Sequence, residues 1–62
     1  MNIEEIKANA PDGANSYLKS ISGLIYFLKI FHTGRIEVYK KREWHELTEE
    51  SAKEIRHCIR PL

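Results

Sequence analysis

The residues of this chain best suited to chemistry are three histidines, one cysteine and a group of carboxylates. Twelve and eleven residues separate His32, His45 and His57, and His57 adjoins Cys58. Zinc sites in small domains are built from close ligand pairs such as C-x-x-C or H-x-x-x-H. No such pair occurs here, so surface histidines are the simpler reading and no metal is expected. His57 and Cys58 cannot serve as base and nucleophile on one helix, because adjacent helical residues point about 100° apart and do not face each other. Glu43, Glu46, Glu49 and Glu50 supply carboxylates, but acid–base catalysis needs a cleft that shifts their pKa values, and a domain this small rarely encloses one. Gly13, Gly23 and Gly34 stand singly rather than in a phosphate-binding loop. The expectation is a protein that is not an enzyme and uses no cofactor.

That leaves binding, which depends on the elements that hold side chains in place. A chain of 62 residues makes one domain, residues 1–62. At this size only about 60% of the unfolded chain's surface is buried on folding, so stability is marginal. The single cysteine rules out an intramolecular disulfide and fits a reducing compartment. No apolar run approaches the ~18 residues of a membrane span, and "MNIEEIKANAP" is too polar for a signal peptide. The expected setting is therefore the cytoplasm, with no membrane partner. Ten Lys and Arg against nine Asp and Glu give no bulk electrostatic footprint for duplex DNA. The "YKKR" run at 39–42 still provides a local basic edge.

"NIEEIKANA" (2–10) reads as a short helix capped by Asn2 and ended by Pro11, and "PDG" (11–13) is turn chemistry. The period then changes from helical to alternating. "SYLKSI" (16–21) reads as a strand, and Ser22-Gly23 as a two-residue turn. "LIYFLKIF" (24–31) is the strand richest in β-branched and aromatic residues. "HTG" (32–34) suits a three-residue hairpin loop with a left-handed glycine. That loop sets Ile30 opposite Ile36, Lys29 opposite Glu37 and Leu28 opposite Val38. A cross-strand Lys29–Glu37 pair contributes up to ~1 kcal/mol. "EWHEL" (43–47) can return as a short fourth strand. Thr48 caps a final helix, "EESAKEIRHCI" (49–59), whose stripe is Ala52, Ile55 and Ile59 and which Pro61 stops. The class is α+β: a small antiparallel β-meander of three to four strands packed by a C-terminal helix, with a short N-terminal one.

The C-terminal helix must pack on one face of the sheet. The better candidate holds Leu24, Tyr26, Leu28, Ile30, Ile36 and Val38, with Tyr17 and Ile21. The other face keeps Leu18, Ile25, Phe27, Lys29, Phe31, Arg35, Glu37, Tyr39 and Lys41, and either the first helix or another molecule covers it. Aromatic rings among cations form an interaction surface, which makes Phe27, Lys29, Phe31, Arg35, Tyr39 and Lys41 the candidate binding residues. Two partner classes fit them. A protein would use the rings and Arg35 as anchors, whereas a single-stranded nucleic acid would stack on the rings at ~1–3 kcal/mol per base. Glu37 and the near-neutral total charge favour the protein. A homodimer closing its own open face is a third reading. Trp44 reads as a half-buried ring sealing the end of the sheet, or as an extension of the aromatic patch.

Several short motifs resemble small proteins encoded by bacteriophages and prophages that have an "APxGAxxY" opening, an aromatic meander and a final "PL". Pro11, Gly13, Ala14 and Tyr17 match the opening, and Trp44, Pro61 and Leu62 match the later landmarks. The residue before the tyrosine, often histidine in such proteins, is Ser16 here. The resemblance implies no catalytic residues. It implies a phage accessory protein in a bacterial host cell, acting by occluding a host protein such as a defence nuclease or a polymerase.

Overall fold

A computed structural model describes residues 2–62 of the chain. Helix α1 (Ile3–Asn9) begins where the Glu5 amide donates a 2.9 Å hydrogen bond to Asn2 Oδ1. It ends as Ala10 turns extended ahead of Pro11. Strands β1 (Ser16–Lys19), β2 (Ile25–Ile30), β3 (Ile36–Lys40) and β4 (Glu43–Glu46) form an antiparallel meander. Helix α2 (Glu49–Ile55), a 3-10 turn over Arg56–Cys58 and the two-residue strand β5 (Arg60–Pro61) complete the chain. The sheet order is β4-β3-β2-β1-β5, the α+β meander with a C-terminal helix expected from sequence.

The β2–β3 register is the expected one, with Leu28 opposite Val38, Lys29 opposite Glu37 and Ile30 opposite Ile36. The β1–β2 register is not. Ser20 N–H donates to the Leu24 carbonyl at 2.8 Å, and Leu18 faces Tyr26 rather than Phe27. The loop is therefore the three residues Ile21-Ser22-Gly23, with Gly23 at φ +92°, and not a two-residue turn. A one-residue slip sends every side chain of a strand to the other face. Leu18 consequently joins the first face and Tyr17 the second, the reverse of expectation. Ile21 and Leu24, expected in the core, are exposed at 109% and 58%.

The first face carries the core. Leu28, Ile36, Val38 and Ala52 are buried together, and Leu18, Tyr26, Ile30, Leu47 and Ile59 pack around them. Leu28 is 1% exposed, and burying one such side chain contributes about 1.5–3 kcal/mol. Thr48 caps α2 as expected, accepting from the Ser51 amide at 3.2 Å.

Helix α2 ends at Ile55, four residues earlier than the sequence suggests. The tighter 3-10 turn and the extended Ile59 keep that side chain on the core while the tail reverses alongside β1. Pro61 thus stands in an edge strand, where its missing N–H costs nothing. The β4 strand does form, through a two-residue turn in which Lys41 and Arg42 both have positive φ, 51° and 65°.

Asn15 extends the β1–β2 pairing with its side chain. Its Nδ2 donates to the Ile30 carbonyl at 2.9 Å, and its Oδ1 accepts from the Ile30 amide at 3.0 Å. One side-chain amide thereby does the work of a peptide unit.

Candidate functional site

Once the register is known, the second face resolves into rows. Tyr17 faces Phe27, the β2–β3 register carries Phe27 to Tyr39, and Tyr39 faces Trp44. One aromatic ring from each of four strands therefore lies in a single cross-strand row. Phe31, opposite Arg35, adds a fifth ring beyond it. Of the six aromatic residues, Tyr26 alone belongs to the core face. All five rings are half-buried. Tyr39 and Trp44 pack with centroids 5.1 Å apart and planes tilted by 60°, a geometry that aromatic quadrupoles favour.

Two cations lie over these rings. Lys29 Nζ sits 4.4 Å from the Trp44 ring centre and 5.9 Å from that of Phe31. The Arg35 guanidinium sits 5.0 Å from Phe31. The next row down is Lys29, Glu37 and Glu46, but the expected Lys29–Glu37 ion pair does not form. Glu37 binds Arg35 instead, and Arg35 Nε also lies 3.7 Å from Glu46. The hydrogen bond to Glu37 first, then the charges of Glu46 and Glu37, raise the Arg35 pKa above its ordinary value. Lys29 is left to the rings. It is also held from the other side: a Cβ at Gly13 would come within 2.8 Å of Lys29 Cε, so the "PDG" turn lies directly against the lysine stem.

The first helix covers part of this face. Ile6 is 5% exposed, and α1 lines a groove of about 420 Å³ with Ile6 and Asn9 on one wall and Lys19, Leu24, Ile25 and Phe27 on the other. The candidate residues thus separate. Lys29, Phe31, Arg35 and Tyr39 come together, joined by Trp44. Phe27 lies in the same row but turns toward the α1 groove. Lys41 leaves the face, because it sits in the β3–β4 turn beyond the last paired residues. Tyr17 and Gly13 were missed. The signal for Tyr17 was the glycine at the end of "ISG", which repeats the pattern of "HTG".

The groups considered for chemistry remain apart. His32, His45, His57 and Cys58 are all exposed, and His45 lies 4.0 Å from Glu43. Among the described residues no three His, Cys, Asp or Glu side chains come close enough to hold a metal ion. No described helix is long and apolar enough to cross a membrane. A second cleft of about 470 Å³ between residues 33–36 and α2 is lined by Arg35, Lys53 and Arg56 but also by Glu46 and Glu49, so its charges are mixed. Comparison of the chain with protein-family models, curated proteins and solved structures finds no match.

Proposed function

We propose that this domain is a non-enzymatic protein-binding module whose contact surface is the aromatic face around Phe31, Tyr39, Trp44 and Arg35. The observation that carries the reading is the gathering of five rings on the face opposite the core, half-buried under nothing larger than a seven-residue helix. Rings with an arginine at their edge are the usual anchors of protein contacts. A standard contact takes about 800 Å² per partner, about a sixth of this domain's 4924 Å². In line with the phage resemblance, the proposed partner is a bacterial host protein that the domain occludes, in the host cytoplasm rather than at a membrane.

Single-stranded nucleic acid is the weaker reading, for a reason of charge. Arg35 is bound to Glu37 and close to Glu46, which leaves Lys29, held over Trp44, as the one cation beside the rings without a carboxylate partner among the described residues.

The test is affinity capture from nuclease-treated bacterial lysate, comparing wild type with Phe31→Ala and Arg35→Glu. These two sites change the face while sparing the Tyr39–Trp44 pair. The expected result is a defined protein captured by wild type and lost, by at least about thirtyfold in affinity for Phe31→Ala, with circular dichroism unchanged. Nuclease-sensitive capture with a steep salt dependence would replace the reading by nucleic-acid binding. Concentration-dependent dimerisation abolished by the same substitutions would replace it by self-association.

A further inference from the structure

The two edges of the sheet are finished differently. At the β5 edge the Leu62 amide donates to the Asn15 carbonyl at 3.1 Å, and Arg60 stands opposite Tyr17. Bonded pairs alternate along an antiparallel ladder, so the β5 residue turned outward is Pro61, which has no N–H to offer. The β4 edge has no such stop. There the Leu47 amide donates to the Ile36 carbonyl at 3.0 Å, which makes Val38–His45 and Lys40–Glu43 the bonded pairs between β3 and β4. Trp44 and Glu46 therefore aim their N–H and C=O groups away from the sheet, at the end of its strand order. Such an edge is a template for one more strand.

The side chains of β4 select which strand. Only outward residues can bond across an added antiparallel strand, so a second copy of β4 cannot set Glu43, which bonds inward, against Glu46. Among two-fold registers centred in the strand, those on Glu43 or Glu46 oppose a carboxylate to itself. The one on His45 sets Trp44 against Glu46. The register centred on Trp44 is complementary at every position: Trp44 meets Trp44, Glu43 meets His45, and Arg42 stands level with Glu46. The Glu43 and Glu46 side chains are 75% and 61% exposed and so are free to meet a neighbour. Facing an unrelated strand, the same carboxylates discourage pairing.

We infer that two copies of this chain pair antiparallel through β4 about a two-fold axis at Trp44, forming one continuous sheet. The axis runs normal to the sheet, so both aromatic faces lie on the same side, and the row Tyr17, Phe27, Tyr39, Trp44 continues in reverse order into the second copy. The open face of one copy, three strands at about 4.8 Å spacing and about 17 Å long, is roughly 240 Å² in projection; pairing doubles it. Both β4 edges are used up and the outer edges end in Pro61, so assembly closes at a dimer. The contact is only about 14 Å long, far below the ~800 Å² per partner of a standard interface, which makes it a weak and reversible one. It is independent of the protein-binding reading, which needs the face and not the edge.

The experiment is sedimentation equilibrium of the full chain from about 10 µM to about 1 mM, with dimer expected on the order of 0.1 mM. Glu46→Pro does at β4 what Pro61 does at β5. It removes an outward N–H but no bond within the monomer, so dimer should be lost with circular dichroism unchanged. Glu46→Arg and Arg42→Glu should each weaken the dimer about tenfold, because each sets like charges opposite one another at two symmetry-related places. Combining them should restore it. In a mixed-label NMR sample, an intermolecular NOE should join Glu43 Hα to His45 Hα of the second copy, whose Cα atoms this register brings to about 4.5 Å. A monomer at about 1 mM, a dimer lost with Phe31→Ala but kept with Glu46→Pro, or no rescue by the charge swap would each overturn the inference. A monomer that still captures a host protein through Phe31 would refute the edge alone, and a β4 dimer that captures none would refute the protein-binding reading alone.

Discussion

Gly13 tests the cation clasp directly. Replacing it by alanine has two costs that can be separated. Gly13 has φ +93°, and an L-residue held in left-handed conformation costs roughly 1–2 kcal/mol. The new Cβ would also meet Lys29 Cε at 2.8 Å. The lysine end is flexible, so it swings away and gives up its seat 4.4 Å over Trp44, a loss of about 0.5–1 kcal/mol. Gly23 is the control, because it has nearly the same φ, +92°, and nothing within 4 Å of the position a Cβ would take. Both substitutions reduce unfolded-state entropy equally, so that contribution cancels between them. Gly13→Ala should therefore destabilise by about 0.5–1 kcal/mol more than Gly23→Ala, a difference of several degrees in midpoint for a domain this size. The assay is thermal unfolding followed by fluorescence of the single tryptophan, which reads the lysine's departure at the same time. In a Lys29→Ala background the two glycine substitutions should cost the same. Equal costs in the wild-type background, or no coupling in the double-mutant cycle, would refute the clasp.

Two further substitutions test the register and the core. Leu28→Ala should cost about 2–5 kcal/mol, against a total stability of roughly 3–9 kcal/mol for a chain of this length, and so leave a large unfolded fraction by circular dichroism. Ile21→Ala should change stability by no more than about 0.5 kcal/mol, since Ile21 projects from its loop; a loss comparable to Leu28→Ala would restore the two-residue turn. Asn15→Asp keeps the acceptor for the Ile30 amide but sets a carboxylate oxygen against the Ile30 carbonyl, so it should cost about 1–2 kcal/mol at neutral pH. The native state then favours the protonated acid, which regains a donor. The deficit should accordingly shrink as pH falls from the raised native-state pKa toward the unfolded value of about 4, and a pH-independent deficit measured by urea midpoint would count against the amide's double role.

The parts of this fold that were legible in the sequence are those where pattern and turn chemistry agree. The β2–β3 hairpin was readable because both strands alternate and "HTG" admits one good register. The caps at Asn2 and Thr48 were readable because a short polar oxygen followed by acidic residues has few other uses. The first hairpin was not, since "SYLK" places apolar Tyr17 and Leu18 side by side and cannot state its own face. Its register came from the loop alone, and a glycine in the third loop position was read as the second of two. That single residue moved Tyr17 onto the aromatic face and Ile21 out of the core and into the loop. The β3–β4 turn was hard to read for the opposite reason: Lys41 and Arg42 are poor residues for the conformation they adopt. The clasp was invisible because it is made by a glycine sixteen positions from its lysine, a contact that exists only after the sheet has formed.

The cations of the aromatic corner and those at the turn end of the sheet differ in how their charges are used, and this difference is measurable. Around Phe31 the guanidinium of Arg35 already has Glu37 and Glu46 as partners, so a binding carboxylate there must compete with carboxylates of the same chain. An apolar contact with the rings has no such competitor, and its strength should change little between low and high salt. At Lys19, Lys41 and Arg42 the cations face water, and attraction to an acidic segment falls as the Debye length shrinks from about 10 Å at 0.1 M to about 3 Å at 1 M. A partner that uses the aromatic corner alone should therefore bind almost independently of ionic strength. One that also reaches these exposed cations should lose affinity with salt in wild type and become less salt-sensitive once Lys41 and Arg42 are replaced. A salt dependence that survives that replacement would locate the electrostatic contact elsewhere, with Lys53 and Arg56 beside α2 the next cations to examine.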